Sequence, residues 1–338
     1  DTQYHYTFVC LSHNSLRGAA GRALLIADLL CKKGYFDSAF LGGDTMKKDM
    51  IFTGAGTALV TPFTPAGEIA WEELEKLVEF QLEGGIDAII ACGTTGEAAT
   101  MTAEEHLKVV DFIIKKVNGR VPVIAGTGSN DTAFCVELSL EAKQLGADGL
   151  LLVTPYYNKT SQKGLVESFD YIADTVKMPC ILYNVPSRTG CNIQIETYCE
   201  LAKNPYVVAV KEASGNAALA ARIVAQCGDS LTVYSGEDNM TLSLMALGGK
   251  GVISVFSNAL PRQMHDLAAA MLNGDLDTAR ALNNQYLDLM DGFFLDVNPI
   301  PIKEALYQMG LIGSNFCRLP LTTMTEAGAA KLTALLKK

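Results

Sequence analysis

Lys211 ends the apolar run of residues 207–210, so it stands where a buried strand would open onto a pocket. Taking an ammonium out of water disfavours its charged form and lowers its pKa. A neutral amine is a nucleophile well suited to Schiff-base formation with a carbonyl. A lysine at a strand end can also snorkel to solvent or pair with a neighbour such as Glu212, so its surroundings decide its meaning. Three more polar groups follow apolar runs. Gly93, Thr94, Thr95, Gly96 and Glu97 bring two hydroxyls and free backbone N–H groups to one point, a cradle for a carboxylate. Pro155, Tyr156, Tyr157 and Asn158 form the second group. Residues 183–190 form the third, with Tyr183 and Arg188 on a loop shaped by Pro186 and Gly190. Singly, the threonines could cap helices, the tyrosines could pack with their hydroxyls in water, and Arg188 could bridge to any carboxylate. Four such groups at one end of a sheet point instead to a nucleophilic amine served by hydroxyls.

The elements that must position them form a repeat. From about residue 56, a short apolar run, a Gly/Thr/Pro-rich turn and an amphipathic segment alternate. Predicted strands cover residues 57–61, 88–92, 121–125, 149–154, 179–184, 207–211, 232–235 and 251–255. Helical patterns occupy 71–83, 103–116, 132–145, 164–176 and 219–226 between them. Strands apolar on both faces, alternating with helices, indicate a parallel sheet covered by helices. About eight such units favour an α/β protein with a closed (β/α)8 TIM barrel. Functional residues of such a barrel lie at the C-terminal strand ends, where all four groups fall. An open nucleotide-binding sheet would want G-x-G-x-x-G after its first strand. Gly126, Thr127 and Gly128 follow the third strand and lack the third glycine at that spacing. Helical patterns at 263–272, 276–289, 302–309 and 325–336 extend beyond the last strand. The expected division is a barrel over residues 50–275 and a C-terminal helical region over 276–338.

With 338 residues, 49% of them hydrophobic and 19% charged, the chain is long enough for such a barrel and is not of disordered composition. A formal net charge of -10 without a Lys/Arg-rich run disfavours nucleic acid and anionic membranes as partners. The nine cysteines include no C-x-x-C pair, and the four histidines, His5, His13, His106 and His265, are dispersed. No metal site is therefore expected, and free thiols suit a reducing compartment. No apolar stretch is long enough to span a bilayer, and the first residues show no basic region followed by an apolar block. The expected location is cytoplasmic.

Taken together, residues 93–97, 155–158, 183–190, 210–213, 251–255 and 298–301 resemble the motifs of the dihydrodipicolinate synthases, within the class I pyruvate-dependent aldolases and lyases. They occur in the expected order over nearly the whole barrel. The resemblance implies that Lys211 forms an imine with pyruvate, with no other cofactor, and that the enamine adds to aspartate semialdehyde in diaminopimelate and lysine biosynthesis. Tyr183 would shuttle protons, and Thr95 would link it to Tyr157 reaching in from a neighbouring subunit. Thr94, Thr95 and the Ile253 backbone would hold the carboxylate region of pyruvate. Arg188 would grip the carboxylate of the second substrate bidentately. A homotetramer built from tight dimers is implied as well. N-acetylneuraminate lyases and sugar-acid aldolases share the lysine and tyrosine, but usually lack an arginine in this Ser-Arg-Thr-Gly setting. The remaining alternatives are such an aldolase, or a catalytically silent barrel.

In lysine-inhibited relatives an inter-subunit site uses polar side chains near these segments. His106, Asn130 and Tyr156 match that pattern, whereas Ala103 replaces a frequent histidine and Phe134 a glutamate that would grip the amino group. The expectation is weak or absent inhibition by lysine. Residues 1–49 do not fit the repeat. The segment with Arg17, Gly18, Ala19 and Ala20 resembles the C-terminal tail of aspartate-semialdehyde dehydrogenase, and Met50 reads as a fresh protein start. The leader is expected to be a fused remnant of a neighbouring gene product, with an accessory helix capping the barrel as the alternative.

Overall fold

The computed structural model describes residues 48–337. Eight parallel strands close into a barrel in sequence order: β1 (Gly54–Ala58), β2 (Ala88–Ala91), β3 (Val123–Gly126), β4 (Gly149–Val153), β5 (Cys180–Asn184), β6 (Val207–Glu212), β7 (Thr232–Ser235) and β8 (Gly251–Ser254). The ring of helices comprises α1 (Trp71–Glu83), α2 (Ala103–Val117), α3 (Thr132–Leu145), α4 (Gln162–Val176), α5 (Ile195–Leu201), α6 (Ala217–Cys227), α7 (Thr241–Ala246) and α8 (Pro261–Leu272). The chain continues into α9 (Leu276–Gly292), α10 (Ile300–Gln308) and α11 (Glu326–Leu336). This is the expected (β/α)8 barrel with C-terminal helices.

The two sides of each strand serve two apolar layers. Inward residues such as Ala58, Ile90, Ile124, Ile181, Tyr183 and Ile253 fill the barrel, and outward residues such as Ile89, Leu150 and Val210 pack against the helices. Phe52 stacks on Tyr234 with ring centres 4.4 Å apart, and the Tyr234 hydroxyl donates to the Phe52 carbonyl at 2.6 Å, plugging the N-terminal end. That leaves the opposite end for chemistry.

The first strand lies about three residues earlier than its predicted range of 57–61. Two glycines near its start, Gly54 and Gly56, lie before the predicted range, but they are needed inside the strand. A Cβ on Gly56 would meet Ile90 at 2.8 Å and Phe52 at 2.9 Å. At the closure with β8, a Cβ on Gly251 would stand 1.9 Å from the Gly54 carbonyl oxygen. Backbones this close leave no room for side chains.

The C-terminal helices share the main core, with Ile302, Ala305, Leu306 and Leu332 buried in the same apolar cluster as the strands' outer faces. Residues 48–337 lie within one compact unit, so the division at 275/276 marks a change of pattern without a separate core. The remnant reading of the leader falls outside the described residues except at Lys48 and Asp49. Lys48 Nζ donates to the carbonyls of Ala202, Asn204 and Val207 at 2.6, 2.6 and 2.7 Å, so this residue acts as part of the barrel. No helix among the described residues is long and apolar enough to cross a membrane.

Candidate active site

Register across β5 and β6 sets Tyr183 opposite Lys211. Lys211 is 5% exposed, and its Nζ lies 4.4 Å from the centre of the Tyr183 ring. Burial lowers the Lys211 amine to about 8, with Asp238 opposing that shift and Arg188 adding to it. Alternation along β6 sends the next side chain the other way. Glu212 accepts from Asn184 Nδ2 at 3.1 Å, from the Tyr198 hydroxyl at 3.0 Å and from the Ser214 N–H at 2.8 Å. These bonds occupy its carboxylate on the helix side of the sheet. Lys211 is therefore neither snorkelling nor tied to its sequence neighbour, but a desolvated amine inside the barrel mouth.

Tyr183 is also buried, which raises its hydroxyl above the ordinary phenol range, while Arg188 and a hydrogen bond from Thr94 act in the opposite direction. The Thr94 hydroxyl thus acts on Tyr183, where the expected link ran through Thr95. The two threonines of this tight turn diverge. Thr94 is exposed to the cleft, whereas Thr95 is buried and its Oγ1 accepts from Asn298 Nδ2 at 3.0 Å. Arg188 follows β5 on a single helical turn and donates to the Asn298 carbonyl at 3.4 Å. Asn298 thereby ties the threonine loop to the arginine loop. Ile253 sits on β8 inside the barrel, in the same apolar cluster as Tyr183.

Thr94, Tyr183, Arg188 and Asn298 line a cleft of about 450 Å³. Its other wall carries His106 from the first turn of α2 and Phe134 from the first turn of α3, together with Tyr156. A capping box between Thr102 and Glu105 starts α2, and the Asp131 carboxylate accepts from the Ala133 and Phe134 N–H groups to start α3. Asn130 donates to the Tyr156 carbonyl at 3.3 Å. Tyr157 is 94% exposed with φ +68°, so its ring stands in solvent away from Tyr183 of its own chain.

Asp238 was not apparent in the sequence. It lies three residues beyond β7, buried, where its Oδ2 accepts from the N–H groups of Val255 and Phe256 at 3.1 and 2.9 Å. Burial raises its carboxyl, and Lys211 is among the groups that hold it down. The run Gly236, Glu237 and Asp238 after an apolar strand was the available signal, since acidic residues there can face a buried amine.

A buried amine, a buried phenol and an arginine thus gather at one barrel mouth. The dihydrodipicolinate synthetase family model covers residues 51–338. The chain belongs to that family. A 4-hydroxy-tetrahydrodipicolinate synthase of Geobacter sulfurreducens is 52% identical over 288 residues, covering 85% of this chain and 99% of the relative. The solved dihydrodipicolinate synthase of Aquifex aeolicus superposes with a TM-score of 0.83 at 46% identity, covering 85% of this chain and 97% of that one. The enzyme from Cyanidioschyzon merolae, solved with lysine bound, gives 0.82 at 40% identity over 86% of this chain and 98% of its own. Family membership makes the chain an aldolase-type lyase.

Proposed function

We infer that this chain is a 4-hydroxy-tetrahydrodipicolinate synthase that condenses pyruvate with aspartate semialdehyde through an imine on Lys211. The observation that carries the reading is the buried Lys211 amine over the Tyr183 ring, with Thr94 on the Tyr183 hydroxyl. The unprotonated amine attacks the ketone carbon of pyruvate, and loss of water gives the imine. The imine draws electrons from the adjacent methyl, whose proton leaves to form the enamine. The enamine carbon then attacks the aldehyde. The amino group of the second substrate closes onto the imine carbon and expels Lys211 as the free amine. Tyr183 and Thr94 pass protons between these steps, because each hydroxyl both donates and accepts. Arg188, exposed at the cleft mouth, pairs with the second substrate's carboxylate.

The exposed Tyr157 suits a residue that completes the relay of a neighbouring subunit in a homotetramer, as the family resemblance implies. Incubation with pyruvate and borohydride, followed by peptide mass spectrometry, tests the imine. A pyruvyl adduct on Lys211 is expected, and folded protein without one overturns the mechanism. Aspartate semialdehyde must then be turned over in preference to N-acetylmannosamine, the acceptor of an N-acetylneuraminate lyase.

The two threonines separate by kinetics. Thr94→Val removes the relay hydroxyl and is expected to lower kcat by about 10²-fold. Thr95→Val loses the bond to Asn298 and is expected to weaken substrate binding more than turnover. Equal losses of kcat in both variants contradict this assignment.

Inhibition by lysine is expected to be weak or absent. In the cleft wall Phe134 presents a ring where a carboxylate would pair with the ligand's ammonium. Burial pushes His106 down to about 4, so it is neutral and offers no charge to the ligand carboxylate. Initial rates across a lysine titration check this, and a submillimolar inhibition constant refutes it.

A further inference from the structure

Outside the cleft, two thiols of neighbouring outer helices meet. Cys199 on α5 and Cys227 at the end of α6 bring their sulfur atoms to 3.3 Å. Their exposures differ in a useful way: Cys199 is partly open to solvent, while Cys227 is buried behind it. Burial and the Cys199 thiol push the Cys227 thiol up to about 12, so Cys227 stays protonated and can donate to a Cys199 thiolate. Neither sulfur belongs to the catalytic set. The two helices flank β6, and the chain between the cysteines includes that whole strand with Lys211. Tyr198, next to Cys199, holds Glu212 from the same helix.

We propose that Cys199 and Cys227 are a modification site, a dithiol that closes to a reversible intrachain disulfide by exchange with a low-molecular-weight disulfide of the glutathione class. In the first step the Cys199 thiolate attacks one sulfur of the reagent, forming a mixed disulfide and releasing one thiol. Cys227 then attacks the Cys199 sulfur and passes its proton to the departing thiolate, which leaves as the second thiol. Two protein thiols and one disulfide thus yield one intrachain disulfide and two free thiols. Bond formation needs the sulfurs to close from 3.3 Å to about 2.05 Å. The bond closes a long loop and restricts the unfolded chain, so the oxidised protein melts at a higher temperature. Excess dithiothreitol reverses it.

The test uses the full chain incubated with glutathione disulfide, alkylated, and digested with trypsin without reduction. The expected product links peptide 189–203 to peptide 223–250 and disappears on reduction, with the melting temperature shifting upward on oxidation. Fragmentation must place the bridge at Cys199, because Cys191 lies in the same peptide. Cys199→Ser is expected to abolish both the link and the shift. A persistent glutathione adduct on Cys199, two alkylated cysteines, or a bridge at Cys191 each overturns the proposal.

Discussion

Lys211→Ala is expected to reduce kcat/KM by at least about 10³-fold and to abolish borohydride trapping of pyruvate, because the covalent route loses its nucleophile. Lys211→Arg is expected to be as inactive. Its guanidinium keeps the positive charge near Asp238 but does not deprotonate at any working pH. Comparing the two separates chemistry from electrostatics, since only the alanine variant leaves Asp238 without its cation. The wild-type pH profile carries the same argument. With the amine at about 8, the reactive neutral fraction rises through that pH and levels above it. An ordinary lysine, titrating at 10.5, would keep rising well beyond. Asp238 favours the ammonium, so Asp238→Asn lowers the amine further and moves the rising limb to lower pH. The asparagine oxygen can still accept from Val255 and Phe256, which keeps the loop in place. A limb that stays put or moves upward in this variant removes Asp238 as the counter-charge, and an active Lys211→Arg variant removes the imine.

What the sequence made visible follows from how far each signal reaches. Lys211 and Tyr183 stand out because a polar residue at the end of an apolar run is a local pattern, Arg188 follows in the loop, and the barrel brings such positions to one end. β1 slipped because its identity rests on glycines that carry no side-chain periodicity, and only the approach of Gly251 to Gly54 explains them. The short helices α5 and α7 gave too few turns for a helical period to register. The choice between Thr94 and Thr95 was undecidable locally. Asn298, 203 residues further along, engages the Thr95 hydroxyl, while Thr94 lines the cleft beside Tyr183. Asp238 stayed hidden for a related reason, since its partners are backbone N–H groups of the next strand's loop. Chemistry-bearing residues were legible, and the groups that orient them were not.

Glu97 and Lys303 show how much of the site rests on such distant support. Both side chains are buried and in direct contact. Lys303 Nζ also donates to the Phe316 carbonyl at 2.9 Å and lies 4.1 Å from the centre of the Phe63 ring. The other Glu97 oxygen, Oε2, accepts from the Arg318 N–H at 2.9 Å. Glu97 itself adopts φ +57°, and its N–H returns to the Thr94 carbonyl at 3.1 Å, so this carboxylate fixes the turn that presents both threonines. Burial lowers the Lys303 ammonium from its ordinary value and Glu97 opposes that shift, so the pair is mutually dependent. Lys303→Met strands a buried carboxylate with one remaining donor, which is expected to cost about 3–5 kcal/mol. For a chain of this size that is a fall in melting temperature of roughly 10 °C. Activity is expected to fall with it, because the threonine turn loses its anchor. Glu97→Gln added to Lys303→Met relieves the stranded charge, so the double variant is expected to be more stable than Lys303→Met alone. The coupling between the two sites is then at least about 1 kcal/mol in a double-mutant cycle. Additive losses, or a Lys303→Met protein that melts near the wild-type temperature, would show that the turn holds itself.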